Sequence, residues 1–353
     1  MYTKKKYSKW TMLRWTRNET RFFIIFTAIV TVLYEVVGLQ WLQLPWTPIA
    51  LIGTAVAFLI GFQNNAAYGR IWEARIIWGG IVNNSRTWAM MARDMVTNEH
   101  AKVPRTEEAL QAERTKLVYK NIAWLTALRY AMRQNKPWET VANRGTNKEW
   151  FDAFKLPELN VPIEEELSKV LPEEDVAYIM SKKNKQNAVL TLMSKQLREL
   201  KEAGYIWEFS FLEMENVLKE FFSLQGKSER IKNFPYPRQY ATLSYDFVNM
   251  FILLLPFGIV PEFHKIGINL SENFPLIGEY FVWLSIPFGV IVSWIFNTMQ
   301  RIGTVGENPF EGSPNDVPIT TMARGIEIDI REMIDELEET IPEPYPVIRD
   351  VQM

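Results

Sequence analysis

The chain has 353 residues, a net charge of −2, no cysteine and two histidines, His100 and His264. These numbers exclude disulfides, thiolate metal sites, thiol nucleophiles and a global polyanion-binding surface. The histidines have no partner spacing for a metal centre, and mean hydropathy near zero with 13 Trp and 21 Phe fits a chain part membrane and part water-soluble.

Residues 1–21 carry Lys4, Lys5, Lys6, Lys9, Arg14, Arg17 and Arg21 against Glu19, with Trp10 and Trp15 interleaved. A basic tail is one reading; the positive-inside rule favours a cytoplasmic segment at the headgroups. The apolar run that follows is long and has no small-residue cleavage site, so it reads as a retained span, not a signal peptide.

Phe22–Leu39 is the first apolar run, short for a span, with Glu35 in its last third. A mid-bilayer carboxylate costs roughly 2.5–3.5 kcal/mol, so Glu35 is expected to face protein or the interface. A loop without basic residues, Gln40–Pro45, leads to WTPIALIGTAVAFLIGF at Trp46–Phe62. After Phe62 no proline interrupts the chain as far as Arg93. At helical rise Trp46–Arg93 spans on the order of 70 Å against a ~30 Å hydrocarbon core. One helix is therefore expected to cross the bilayer and continue into water.

Two stripes run along this helix. Gly53, Ala57 and Gly61 recur every four residues and let helix backbones approach. Thr54, Phe58 and Phe62 lie one position on. Around an axis of several copies, Phe58 and Phe62 form stacked apolar rings that gate by dewetting. The alternatives are packing inside one subunit or facing lipid. Beyond Phe62 the helix turns polar, with Asn64, Asn65, Arg70, Glu73 and Arg75 at the expected inner mouth. Arg70 and Glu73 are spaced to pair.

Residues 94–237 contain no spanning run and read as a water-soluble helical region. Thr106–Arg133 opens with a Thr-x-Glu-type start. NKPWETVANRGTNKEWFDAFKLPELNVP reads as a Pro/Gly-punctuated connector. Short acidic segments, Ile163–Leu171 and EEDVAYIMSKK, precede amphipathic Asn187–Ala203, and Glu208–Leu224 is again helical. NFPYPR breaks the pattern at Asn233–Arg238.

Tyr245–Phe263 is the third apolar run, with Pro256 expected to kink it, and His264–Asn273 reads as a short loop. Phe274–Phe296 is the fourth, interrupted by Glu279 and Pro287. The expected organisation is all-α: a basic segment (1–21), two spans with the long cytosolic extension (22–93), a cytosolic helical region (94–237), two further spans (238–300) and a cytosolic C-terminal part (301–353). Four spans place both termini in the cytoplasm of a cell whose inner membrane holds the chain. The tail carries a loop, GENPFEGSPNDVPI, then an amphipathic helix from Thr321 to about Thr340.

GFQNNAAYGRIWEARIIWGGIVNNSR resembles the signature of the bestrophin family in its bacterial branch, FPYPRQYATLSYDFVNMFILLLPFGIV resembles the segment entering that family's third span, and ENPFEGSPNDVPI resembles its post-span loop. The resemblance covers essentially the whole chain in order. It implies a homopentamer around one central pore, passing monovalent ions and mostly permeable to chloride, with Thr54, Phe58 and Phe62 as the neck. Threonine replaces a bulky apolar residue there, so that ring is expected to be wider and wetter. A second, cytosolic constriction maps near Ala188. The animal branch binds calcium through acids after its NPF motif; here Asn308–Phe310 is followed by Glu311, Gly312, Ser313, Pro314, Asn315 and Asp316, too few carboxylates for a hard cation. No calcium requirement, metal, cofactor or nucleic acid is expected.

Three functions compete: an anion channel, a cation-selective channel of the same fold, and a membrane-tethered scaffold whose cytosolic helices bind a partner. An enzyme is disfavoured, since no phosphate-binding glycine loop occurs and acid pairs such as Glu164–Glu166 and Glu173–Asp175 read as solvated faces.

Overall fold

A computed structural model describes residues 1–139, 145–154 and 156–353. Within these the chain is helical, and its only β pairings are two isolated bridges, Tyr2 to Val351 and Ile348 to Val351. Of the expected connector, 140–144 and 155 lie outside the described residues; the rest is more regular than its composition suggests, with a helix at Gly145–Phe154.

The chain forms two compact units. One comprises Lys5–Gly69 and Pro235–Glu307; the other comprises Met1–Lys4, Arg70–Phe234 and Asn308–Met353. A single helix, Trp46–Met95, contributes to both. It has 50 residues, about 75 Å at helical rise, and its single proline, Pro48, lies in the first turn, where no intrahelical N–H bond is lost.

The first unit is apolar. Three stretches are long and apolar enough to cross a membrane: Gln40–Met95, Arg238–Ser271 and Pro275–Gly306. A 19-residue helix, Arg17–Glu35, packs beside the last two. Its outward face carries Phe22, Ile24, Ile25 and Ile29, all exposed. The core is built from Phe23, Ile49, Val56, Ile60, Val248, Phe251 and Leu255, with a second cluster around Val30, Tyr34, Val260 and Val282.

One expected boundary fails here. The run expected to end at Phe263 continues helically to Ser271, so residues 264–271 are helix and not loop. The helix passes through Pro256 and Pro261, since in an apolar surround a freed carbonyl finds neighbouring donors. The last span is broken by a 3-10 turn at Phe281–Leu284 before Ser285–Gly306. Pro287 is the third residue of that helix, where its missing N–H has no intrahelical partner to lose.

The second unit holds one large core running from Ala74 to Ile334, filled by Trp78, Trp88, Trp124 and Phe221. Trp88 donates to the Leu117 carbonyl at 3.0 Å and Trp124 to Gln225 at 3.0 Å, so these indoles bring satisfied polar ends into the core. Helix Glu107–Arg133 is capped by Thr106, whose hydroxyl accepts from Ala109 N. Lys185–Ala203 is capped by Asn184 and ends on Gly204 at φ +85°. Glu208–Asn233 runs beyond the expected Leu224. The C-terminal helix, Ile319–Glu332, is shorter than expected; Asp335 takes a left-handed conformation just after it.

Candidate permeation surface

The long helix divides into faces. Ile49, Gly53, Val56, Ile60, Gln63 and Ala67 are buried, one stripe at the α-helical period. Gly53 is the close approach: a Cβ there would meet the Phe251 ring at 2.7 Å. Ala57 and Gly61, its expected partners in a small-residue stripe, are exposed, and nothing lies within 4 Å of a Cβ at Gly61. Within one chain the stripe therefore packs at Gly53 alone.

Phe58 and Phe62 are 66% and 69% exposed, and Thr54 is exposed beside them. Packing inside their own subunit is thereby removed; a neighbouring copy, lipid or a lumen remains. The Thr54 hydroxyl donates to the Ala50 carbonyl at 3.0 Å, so its proton is spent within the helix.

The polar residues that follow have separate tasks. Asn64 packs against the helix bearing Gly303, where a Cβ would lie 2.4 Å from its Oδ1. Asn65 and Arg75 are exposed. Arg70 donates to the Ile231 carbonyl at 2.8 Å, and Glu73 pairs with Arg230. The Arg70–Glu73 pair expected from spacing is thus replaced by two links to the Glu208–Asn233 helix, whose C-terminal turn offers both a carbonyl and a cation.

Composition hid another network. Gln63 donates to Glu307 at 2.8 Å, and Arg238 reaches the same carboxylate at 3.2 Å. Gln63 and Glu307 are 2% and 1% exposed. A buried carboxylate needs such partners. At the far end of the same unit Glu35 meets His264 at 2.9 Å, so the carboxylate does face protein. Arg301, 1% exposed, donates to the Trp15 carbonyl at 2.7 Å, lies 4.3 Å over the Trp15 ring and meets Glu19 at 3.1 Å. The end of the basic segment is therefore docked, while Trp10 stays exposed.

Ala188 is 4% exposed and packs in the core of its own chain. The open face of that helix carries Asn187 and Thr191.

In the loop after Asn308–Phe310, Asp316 accepts from Gly312 N at 2.7 Å, Ser313 N at 3.0 Å and the Ser313 hydroxyl. Burial pushes its carboxyl upward. Glu311 accepts from Asn308. Of the acid pairs, Glu164 and Glu173 are exposed, as a solvated face would be, whereas Glu166 holds Arg129 at 2.8 Å and also Lys169, and Asp175 lies 3.8 Å from Lys120.

A family model described as Bacterial/Fungal Bestrophin protein matches residues 11–332. A Ralstonia nicotianae protein named a voltage-dependent anion channel-forming protein is 28% identical over 320 residues, covering 90% of this chain and 87% of the relative. An Escherichia coli K12 protein of the same description is 24% identical over 325 residues, covering 92% and 88%. A crystal structure of a bacterial bestrophin homologue from Klebsiella pneumoniae superposes with a TM-score of 0.70 at 23% identity, covering 90% of this chain and 98% of that one.

Proposed function

Because the chain belongs to the bacterial and fungal bestrophin family, we propose that it is a channel, not an enzyme, conducting monovalent anions such as chloride passively through a homopentameric pore. Its relatives named as anion channel-forming proteins support the ion class. The observation that carries the pore reading is the two-thirds exposure of Phe58 and Phe62, one turn apart on a helix whose opposite face is buried in its own subunit. Ala57 and Gly61 are open beside them and admit a neighbouring helix. In five copies Thr54, Phe58 and Phe62 then form the neck, and Asn64, Asn65, Arg70, Glu73 and Arg75 follow on the inner side. The open Asn187/Thr191 face replaces Ala188 as the place for a second constriction.

Four spans follow if Arg17–Glu35 joins the three longer stretches, since its outward side chains are apolar and suit lipid. Both termini then lie in the cytoplasm, with the chain in the inner membrane. Opening needs no calcium in this reading, because the Asp316 and Glu311 carboxylates are engaged within their own loop.

A cation-selective pore is the second reading. It is favoured by the neck itself, which has no cationic side chain and a Thr54 hydroxyl whose proton is already donated.

Purified protein in planar bilayers is expected to give single-channel currents without calcium, and Phe58→Ala with Phe62→Ala to raise conductance or open probability. Absence of current, or a double variant indistinguishable from wild type, sinks the neck. The reversal potential in a KCl gradient decides between anion and cation.

A further inference from the structure

In the unit that contains the large core, four segments enclose a cavity of about 210 Å³. Helix Glu107–Arg133 supplies Arg129, the segment after Ile163 supplies Glu166 and Lys169, and helix Ile319–Glu332 supplies Arg324, Glu327 and Arg331. The tail closes over them with Pro342 and Tyr345. A polar void of this size is larger than the ~150 Å³ that accommodates benzene, so it has room for a small organic body as well as an inorganic ion.

The charges in its wall are unequally satisfied. Arg129 is fixed by Glu158 at 2.7 Å and Glu166 at 2.8 Å. Arg331 is fixed by Glu336 at 2.8 and 2.6 Å. Arg324 is held less closely, with Glu327 as an ion-pair partner at 3.5 Å and no hydrogen bond to a carboxylate. One of its terminal nitrogens donates to the Tyr345 hydroxyl at 3.1 Å, and its guanidinium lies 4.7 Å over that ring. Its Nε is buried and makes no hydrogen bond; the nearest carboxylate oxygen, on Glu327, stands at 3.5 Å. Glu327 is also shared with Arg331 at 3.4 Å. A guanidinium holds five donors in a fixed fork matched to carboxylate and phosphate oxygens. Lys169, 60% exposed and paired with Glu166, adds a further cation at the rim.

We propose that this cavity is a binding site for a small oxyanion — a metabolite bearing a phosphate or a carboxylate — held by the Arg324 guanidinium and closed by Tyr345. The anion accepts from Arg324, Lys169 provides long-range attraction, and Arg129 and Arg331, already braced by carboxylates, keep the wall rigid. Because Tyr345 belongs to the tail, occupancy also fixes the tail. That tail carries Val351, bridged to Tyr2, and Met353, whose carbonyl accepts from Thr321 N at 2.5 Å. None of the lining residues is among those of the proposed permeation path, so the site stands whether or not the channel reading holds.

The test is calorimetric titration of the detergent-purified full chain with sodium phosphate and, separately, with succinate, at constant chloride. Saturable binding at one site per chain is expected for at least one probe, weakened about tenfold or more in Arg324→Met and about threefold in Arg324→Lys, which keeps the charge and loses the fork. Phosphate alone binding assigns the phosphate class; succinate alone assigns the carboxylate class. If Arg324→Met fails to fold, as judged by its melting transition without ligand, Arg324→Lys is read by itself. No saturable binding of either probe to wild type overturns the site, as does wild-type affinity retained in the variants that fold.

Discussion

Glu158 shows how much a single buried carboxylate holds in the unit with the large core. Its side chain is fully buried, one oxygen bound by Arg129 at 2.7 Å and by the Thr320 hydroxyl at 2.8 Å. Burial pushes its carboxyl upward, but the guanidinium groups of Arg129 and then Arg133 overcome this and hold it below the ordinary value. A depressed carboxyl contributes stability that is present above its unfolded value of ~4.3 and is lost as pH falls through the folded value. Wild type should lose thermal stability below about pH 4, and Glu158→Gln should flatten that dependence. At pH 7 Glu158→Gln should destabilise by about 1–3 kcal/mol, because it removes one of the two carboxylates that hold the buried Arg129 guanidinium; melting followed by circular dichroism across pH 3–7 measures both. Little of this was legible in the sequence. Glu158 sat in a segment read as connector, and Gln63 and Glu307 are 244 positions apart. The Thr54/Phe58/Phe62 row was legible because it is local, a matter of spacing on one helix. Which side of the Lys185–Ala203 helix is covered was not, since Ala188 is as small as a lining residue and as apolar as a core one.

Among the elements, the long helix was the easiest to foresee, since no proline follows Pro48 in its first turn and that leaves few other structures. The continuation of Arg238–Ser271 past Pro261 was not, because its justification is a neighbour. That neighbour approaches at Gly267 and Gly278: a Cβ on Gly278 would lie 2.6 Å from the Gly267 carbonyl oxygen and 2.0 Å from Ser271 Oγ. Gly278→Ala should cost about 1–3 kcal/mol, read as a lower melting temperature of the solubilised protein. At Gly204 the demand is twofold, φ of +85° and a Cβ 2.1 Å from the His100 carbonyl oxygen. Gly204→Ala should cost about 2 kcal/mol or more, measurable in the same assay.

At the scale of the assembly, Gly61 offers a contrasting test. A side chain at Gly61 meets nothing within its own subunit, so Gly61→Leu should leave the melting of the subunit nearly unchanged. If neighbouring helices approach there, the same variant should lower the population of particles at five times the 41.3 kDa of one chain, as counted by native mass spectrometry. Unchanged pentamers in Gly61→Leu would put that contact elsewhere.

The buried stripe of the long helix and the row Thr54, Phe58, Phe62 do not run parallel. The first keeps the helical period and follows the helix axis. The second steps by four residues, so each member is turned about 40° from the one before. Rows of that spacing are inclined about 26° to a helix axis. Three such residues can face one common line only if the helix leans across it by a similar angle. In the proposed five-copy ring such leaning helices would close like the blades of an iris, a small change in lean altering the bore at Phe58 and Phe62 with no side chain changing rotamer.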